Sequence, residues 1–251
     1  MCYYWEKIKM ENKMSKLRLD KIISSSAFVS RREAAEMIRR GAVTVDGAVP
    51  ASGAEKYDPA VSLILINGIP ADYREHRYIM MNKPAGVLSA TEDLRDRTVA
   101  DLLREPYSKM GLFPAGRLDK DAEGLMLLTD DGDFAHRVIS PGKKVFKRYY
   151  AEVSGILTES DRAAVEAGIE LNDMVCLPGR LEIAGPEQCY IEICEGKFHQ
   201  VKRMLGSLGK PVKYLKRVSI GGLRLPEQMK PGEYREMSPE EANLVFQDRE
   251  K

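Results

Sequence analysis

Residues 116–132, GRLDKDAEGLMLLTDDG, combine five carboxylates with an apolar run inside seventeen residues. Acidic side chains at this density are typical of a bound metal, a catalytic carboxylate, or a series of turns and helix caps. The run LMLLT suits a buried strand, and Gly124 in front of it predicts a tight turn. Asp119 would then be held rigidly at the edge of a core strand, where a site can form.

A calcium loop is one alternative, because Asp119, Asp121 and Gly124 match the opening of a twelve-residue EF-hand loop. The match weakens at Glu123, where Asp or Asn is usual, and at Asp130, where a bidentate Glu is expected. The preceding GLFPAG also contains a proline and two glycines where an entering helix is required.

Turn and cap roles are the other alternative, and they suit the end of the segment best. Asp130, Asp131 and Gly132 have the composition of a turn. Asp133 is a candidate N-cap for the helix expected to follow. This interpretation explains Asp119 less well, so Asp119 remains the candidate catalytic acid.

Length and composition exclude several classes of protein. The 251 residues suffice for one large and one small domain, and the net charge of +1 predicts no polyanion partner from the average alone. No apolar run approaches the roughly 18–20 residues of a membrane span, and the first residues lack the apolar core of a secretory signal. The four cysteines and three histidines lack zinc-site spacing. We expect a cytoplasmic, monomeric protein without a metal or membrane partner.

The chain predicts an α+β protein built from two domains joined by a linker. After an extension at 1–15, residues 16–69 read as helix, helix, hairpin and strand, with a capping box at Ser30 and Glu33 and a turn at Asp46 and Gly47. Residues 70–77 are polar and predict the linker. Residues 78–251 predict a mixed, largely antiparallel sheet with helices packed on it.

Two regions carry local positive charge. The second helix leaves its arginines outside the core, which indicates either phosphate contact or simply a solvated face. These arginines are Arg31, Arg32, Arg39 and Arg40. Residues 196–226 contain no acid, which favours a polyanion groove with Phe198 and Tyr214 available for base stacking. The eight cations of this segment are Lys197, Lys202, Arg203, Lys210, Lys213, Lys216, Arg217 and Arg224.

Several segments together resemble one known family, the RsuA-type pseudouridine synthases, which modify ribosomal RNA. Besides 116–132, the matching segments are MNKPAGVLSA (81–90), KRYYAEV (147–153), EGKFHQVKRML (195–205) and RVSIGGLRL (217–225). The resemblance extends over about residues 16–246, and 17–66 is similar to the S4 RNA-binding module. HQVKRM and PGEYREMSPEE are most similar to the branch that modifies small-subunit rRNA, the uridine-516 type.

The resemblance implies specific roles for site residues. Asp119 would attack C1′ of the ribose or C6 of uracil, or act as a base at C2′, and these choices stay open. Tyr149 would stack on the uracil, with Tyr150 packing in the core on the opposite face, and Lys202 would keep the acid ionised. The remaining roles are contact with RNA or with the pocket. Arg117 would contact the flanking phosphate or help to flip the nucleotide, and Arg203 would contact a phosphate. Lys83 would lie in the loop that forms the pocket rim, and Leu205 would form a pocket wall.

The implied reaction is an isomerisation, which needs no redox cofactor, energy source or metal. The expected partner is small-subunit rRNA or an assembly intermediate. Two rivals remain beside the calcium protein: a synthase of the large-subunit branch, and a non-catalytic S4-type protein that binds ribosomal RNA.

Overall fold

A computed structural model describes residues 16–247 and divides the chain into two compact units between Glu75 and His76. That division lies inside the segment 70–77 expected to be the linker. The expected extension at 1–15 lies outside the described residues. Within 16–247, no helix has the length and apolar character needed to cross a membrane.

The first unit packs two helices against short strands. Its elements are β1 (Leu17–Arg18), α1 (Leu19–Ala27), α2 (Arg31–Arg39), β2 (Val43–Val45), β3 (Lys56–Tyr57), β4 (Ile64–Ile66) and β5 (Ile69–Pro70). β1 pairs with β3, and β2, β4 and β5 form a three-stranded antiparallel sheet. The core is built from apolar side chains of both helices and of β2 and β4.

Local sequence signals in this unit are confirmed where they depend on neighbouring residues. Ser30 and Glu33 form the capping box of α2. Asp46 and Gly47 both have positive φ, as the turn requires. The hairpin expected there is reduced to one bridge, however, and β2 pairs instead with β4. Pro50 has no N–H to donate, so a strand cannot continue there.

The second unit is built on one large sheet. Its strands are β6 (Tyr78–Lys83), β7 (Phe113–Pro114), β8 (Glu123–Thr129), β9 (Lys147–Val153), β10 (Glu170–Leu171), β11 (Met174–Val175), β12 (Arg180–Gly185), β13 (Gln188–Ile193), β14 (Val212–Ile220), β15 (Leu223–Arg224) and β16 (Tyr234–Glu236). Its helices are α3 (Gly132–Ile139), α4 (Glu159–Ala167), α5 (Gln200–Ser207) and α6 (Pro239–Leu244), with 3₁₀ turns at Ala100–Leu102, Tyr107–Lys109 and Pro141–Lys143.

The strand order β12-β13-β9-β14-β8-β6-β16 gives a mixed sheet, with β7 on β8 and β15 on β14. Only the β8–β14 pair is parallel among these strands, so the expected mixed and largely antiparallel α+β fold is confirmed. Successive residues of the central strand β8 belong to two different apolar clusters: Met126 and Leu128 to one, Leu125 and Leu127 to the other. β8 is therefore buried on both faces.

Gly124 lies inside β8 rather than in the turn expected before it. Its φ is +106°, and a Cβ there would lie 2.2 Å from the carbonyl oxygen of Arg217. Only glycine permits this close pairing of β8 with β14. The calcium interpretation is wrong, because most of its proposed loop is this buried strand rather than a loop between helices.

The acids after β8 have turn and cap roles, although the cap is not the expected residue. The carboxylate of Asp131, not of Asp133, accepts the amide hydrogen of Phe134 at the start of α3 (2.9 Å). Asp133 lies within the first turn of that helix instead. Asp130 accepts a hydrogen bond from the Arg77 amide (2.8 Å). The contact of Asp130 with Arg77 ties the end of β8 to the start of β6.

Candidate active site

Asp119 lies in the loop between β7 and β8, with its side chain 22% exposed. The amide of Ala122 donates to the Asp119 carbonyl (3.1 Å) and closes the loop. A cavity of about 370 Å³, here called the outer cavity, opens beside this carboxylate. Besides Asp119, its walls include Ser89, Tyr149, His199, Val201 and Leu215.

Lys202 on α5 reaches this loop. Its Nζ lies 3.3 Å from Oδ2 of Asp119 and 2.5 Å from Oδ1 of Asp121. Burial disfavours the charged ammonium, but the hydrogen bond to Asp121 and the charge of Asp119 outweigh it and raise the pKa of Lys202. The same hydrogen bond lowers the pKa of Asp121. Lys202 therefore places a positive charge beside Asp119.

His199 is a site residue that the sequence analysis missed. It precedes α5 with φ of +49°, and its Nε2 lies 3.7 Å from Oδ1 of Asp119. Phe198 stacks on the His199 ring at 3.8 Å between centroids and is 75% exposed. The available signal was spacing, since His199 precedes Lys202 by three residues, and such residues share one face of a helical turn.

Tyr149 lies on β9 and lines the outer cavity with its buried side chain. Alternation along β9 directs Tyr150 to the opposite face, as expected. Tyr150 is only half-buried rather than in the core, and its hydroxyl donates to Glu152 (2.9 Å). Tyr214 lies against Tyr150 and donates to Glu123 (2.7 Å). Tyr214 does not line the outer cavity, in contrast to its expected stacking role.

Lys83 does not lie on the pocket rim or contact solvent, so its expected role in RNA binding is wrong. It is 0% exposed, and its Nζ lies within hydrogen-bond distance of the carbonyl oxygens of Pro84, Asp119, Lys120 and Ala122, at 2.7–3.3 Å. Burial lowers its pKa to about 8, against the opposing influence of nearby carboxylates. Lys83 supports the Asp119 loop from below.

Ser89 is a second supporting residue that the sequence analysis missed. Its buried hydroxyl donates to the Leu118 carbonyl (2.8 Å) and accepts from the Leu118 amide (2.9 Å). This reciprocal pair holds the backbone immediately before Asp119. A serine in an ordinary loop sequence gives no such signal, because its partner lies 29 residues away.

Two residues of α5 differ from expectation in different ways. Leu205 is fully buried in the apolar core and does not line the outer cavity, so its expected role as a wall is wrong. Val201, one helical turn earlier, and Leu215 on β14 line the cavity instead. Arg203 is half-buried and forms an ion pair with Asp173.

The acid-free segment is not a continuous row of free cations. Arg217 is buried and donates from Nε to the Leu125 carbonyl (2.7 Å), so it is not a groove cation. Acids from other segments pair with several of the rest. These pairs are Lys197–Glu195, Lys202–Asp121, Arg203–Asp173, Lys210–Asp161 and Lys213–Glu187. The positive charge counted along residues 196–226 is therefore larger than the positive charge that remains unpaired in the folded protein.

The remaining predicted RNA-binding residues are exposed. Arg117 lines the outer cavity. In the first unit, Arg31 and Arg32 begin α2, and Arg39 and Arg40 end it with ion pairs to Glu36. The arginines of α2 lie on the solvent side of the helix, as expected for the polar face of an amphipathic helix.

Comparison with known proteins shows which families this chain is similar to. Residues 77–207 match the family model for RNA pseudouridylate synthase, and residues 17–49 match that for the S4 domain. An "Uncharacterized RNA pseudouridine synthase YtzG" of Bacillus subtilis is 44% identical over 91% of this chain and 98% of its own. The "Ribosomal small subunit pseudouridine synthase A" of Vibrio cholerae is 39% identical over 92% of this chain and 100% of its own.

A solved structure described as a pseudouridylate synthase superposes with a TM-score of 0.65 at 34% identity. It covers 91% of this chain and 99% of the solved chain. The similarity therefore includes both units and is not limited to the 116–132 segment. The chain belongs to the RNA pseudouridylate synthase family and carries an S4 domain ahead of its catalytic domain.

Proposed function

We propose that this protein isomerises a uridine of small-subunit ribosomal RNA to pseudouridine, in the cytoplasm, with Asp119 as the catalytic carboxylate. The observation that carries the proposal is the Asp119 carboxylate beside a cavity walled by Tyr149, with the Lys202 ammonium 3.3 Å away. The choice of RNA is supported by relatives named small subunit pseudouridine synthase A, at 38–39% identity.

The electrostatics of the site suit an ionised carboxylate. The Lys202 ammonium lies 3.3 Å from Oδ2 of Asp119, and an adjacent cation favours a negative charge. Nε2 of His199 lies 3.7 Å from the other carboxylate oxygen, Oδ1. Lys202 also contacts the exposed carboxylate of Asp121, at 2.5 Å.

The reaction breaks the N1–C1′ bond of uridine and forms a C5–C1′ bond. Asp119 would act as nucleophile at C1′ or at C6, or as base at C2′. C5 then loses its proton, and N1 ends protonated, so the atoms of substrate and product balance. Tyr149 would stack on the uracil while it turns.

The target must first leave its stack, at a cost of a few kcal/mol. Contacts of Arg117, Arg203 and the arginines of α2 with phosphates would offset that cost. About five phosphate contacts among these six arginines predict a slope of log affinity against log salt on the order of −3.5 to −4.5. A slope near zero would exclude this basic-contact account.

The test is tritium release from small-subunit rRNA labelled with [5-³H]uridine. Asp119→Asn should lower the rate by on the order of 10³-fold or more while RNA binding persists. Asp121→Asn is the matched control: it removes a carboxylate that also contacts Lys202 but is 75% exposed, and it should retain most activity.

Each other outcome has a definite meaning. Equal release by Asp119→Asn would assign the acid role elsewhere. Release from large-subunit rRNA alone would keep the reaction and change the substrate. Release from neither RNA, as naked RNA or in ribosomal particles, would favour a protein that only binds RNA.

A further inference from the structure

A second cavity of about 210 Å³, here called the inner cavity, lies next to the outer one. Tyr149 and Arg117 line both, so Tyr149 forms a partition between them. Asp119 lines only the outer cavity, whereas Lys147, Arg217 and Ile220 line only the inner one. The proposed reaction leaves the inner cavity unexplained.

Lys147 is the unusual member of this cavity. It begins β9 and points to the same face as Tyr149, with only 6% of its surface exposed. Its Nζ is buried and has no hydrogen-bond partner among the described residues. An ammonium is a donor of three hydrogen bonds, and burying one unpaired is costly. The cavity beside it is where a partner would fit.

The other charges around the inner cavity do not provide that partner. Arg217 is also a buried cation. Glu195 is the one acid of the lining, but its Oε1 accepts from the Leu177 amide (2.8 Å) and from Gln200 (2.6 Å). Its Oε2 lies 3.2 Å from Lys197. Glu195 is therefore already paired with groups other than Lys147.

Arg117 adds a third cation at this cavity. Its guanidinium forms no ion pair with any acid of residues 16–247. Arg117 is exposed to water, but Lys147 and Arg217 are buried, and the one carboxylate of the lining is paired elsewhere, so their positive charge is uncompensated. A neutral carbonyl could accept one hydrogen bond from Lys147 but would leave that charge. An anion with several oxygens would satisfy both the donors and the charge.

We propose that the inner cavity binds a phosphate group through Lys147 and Arg117, with Arg217 contributing its charge. The inference rests on the proposed function for the source of that group. In an RNA-modifying enzyme it would be the backbone phosphate next to the target uridine, on the far side of Tyr149 from Asp119. Free phosphate shares the chemistry and is the alternative source.

The state of Lys147 without a ligand agrees with this assignment. Burial, followed by the charge of Arg217, lowers its pKa to about 8, against a weaker opposing influence of Cys194. A bound phosphate would reverse part of that shift, since an adjacent anion favours the charged ammonium. Phosphate should therefore bind more weakly as the pH rises above 8.

The first experiment uses inorganic phosphate as the probe and compares the full chain with Lys147→Met. Binding to the parent protein should broaden the ³¹P resonance of phosphate, and phosphate should raise the Tm of that protein. Both effects should fall at least tenfold in Lys147→Met. Lys213→Met is the control, because Lys213 is exposed, pairs with Glu187 and lies outside this cavity. Folding is checked by the Tm of Lys147→Met without phosphate, which should not fall.

Equal phosphate binding by Lys147→Met and the parent would overturn the proposal. An equal loss in Lys213→Met would also overturn it, because the effect would then be one of general charge. Because the probe is inorganic phosphate, this result holds whether or not the protein modifies rRNA.

The second experiment separates the two sources of phosphate. RNA substrates carry one uncharged methylphosphonate at each linkage near the target in turn. At one linkage, the methylphosphonate should weaken RNA binding by the parent protein at least fivefold. The same substitution should not weaken RNA binding by Lys147→Met any further. The salt slope of Lys147→Met should also be smaller by about 0.7–0.9. No coupling at any linkage, with phosphate binding retained, would assign the cavity to free phosphate.

Tritium release from the unmodified RNA by the parent protein is measured in parallel. Absence of release would reject the proposed function without bearing on the phosphate result. Presence of release together with failure of the phosphate probe would reject only the inner-cavity inference.

Discussion

Two regions of the catalytic unit each bury a lysine, and they differ in what surrounds it. Below the Asp119 loop, Lys83 lies within hydrogen-bond distance of four carbonyl oxygens. At the inner cavity, Lys147 has none among the described residues. Burial lowers the pKa of each to about 8. The two lysines are therefore alike in burial and in pKa, and they differ in their hydrogen-bond partners.

The difference indicates how each lysine contributes. Lys83 completes its hydrogen bonds within the chain, so its role is to hold the loop that carries Asp119. Lys147 leaves its hydrogen bonds unmade, so stability gives no reason to bury it. A residue that costs stability without a contact in return is a candidate for binding a ligand.

Removing the two ammonium groups should affect stability very differently. Lys83→Met leaves several buried carbonyls without a donor and should lower the free energy of unfolding by about 3–5 kcal/mol. Lys147→Met removes an unpaired charge and should leave stability unchanged or higher. Urea denaturation with a constant m-value measures both. Equal losses in the two variants would show that the regions do not differ as their hydrogen bonds indicate.

Ser89 supports the same loop as Lys83, and its removal should have a smaller effect on stability. Ser89→Ala removes both hydrogen bonds to Leu118 inside the protein and should cost about 1–3 kcal/mol. Tritium release should fall as well, since Asp119 follows Leu118 directly. Ser207→Ala removes an exposed serine that contacts only the Met204 carbonyl of its own helix, and it should change stability by no more than about 0.5 kcal/mol. Similar losses in both variants would remove any special role for Ser89.

Much of the fold and part of the site could be predicted from sequence, because the signals are local. The capping box at Ser30 depends on four adjacent residues, and the alternation along β9 separates Tyr149 from Tyr150. The same alternation also aligns Lys147 with Tyr149 and Ala151 on the buried face. That signal was present, but a lysine at the first position of a strand is ordinarily read as exposed.

The errors share one physical cause, which is that tertiary partners are invisible in a sequence. Lys83 ends a strand next to a proline, where exposure is the usual expectation, and the carbonyls that bury it come mainly from residues 119–122. The acid-free segment suggested free cations, yet Asp161, Asp173 and Glu187 reach it from elsewhere. Leu205 was expected at the pocket, although helix geometry turns it into the core.

The pH dependence of the free energy of unfolding tests whether Lys147 is unpaired, and it is the smallest of the expected effects. The pKa of Lys147 is about 8 in the folded protein and near 10.5 when unfolded, so between these values the unfolded state binds more protons. Stability from this group therefore rises with pH across that window, by at most about 1.4 kcal/mol per pH unit. Below pH 8 the cost of the buried charge is fully present.

Lys147→Met should therefore be most stabilising, relative to the parent, below pH 8, and the difference should shrink toward pH 10. Thiols also ionise in this pH range, and burial raises the pKa of Cys189 to about 11. That contribution is common to both proteins, so the difference between their stabilities reports Lys147 alone. Urea midpoints at pH 7, 8 and 9 suffice to measure it. A difference that stays constant with pH would mean that Lys147 is already paired in solution, and the contrast with Lys83 would then disappear.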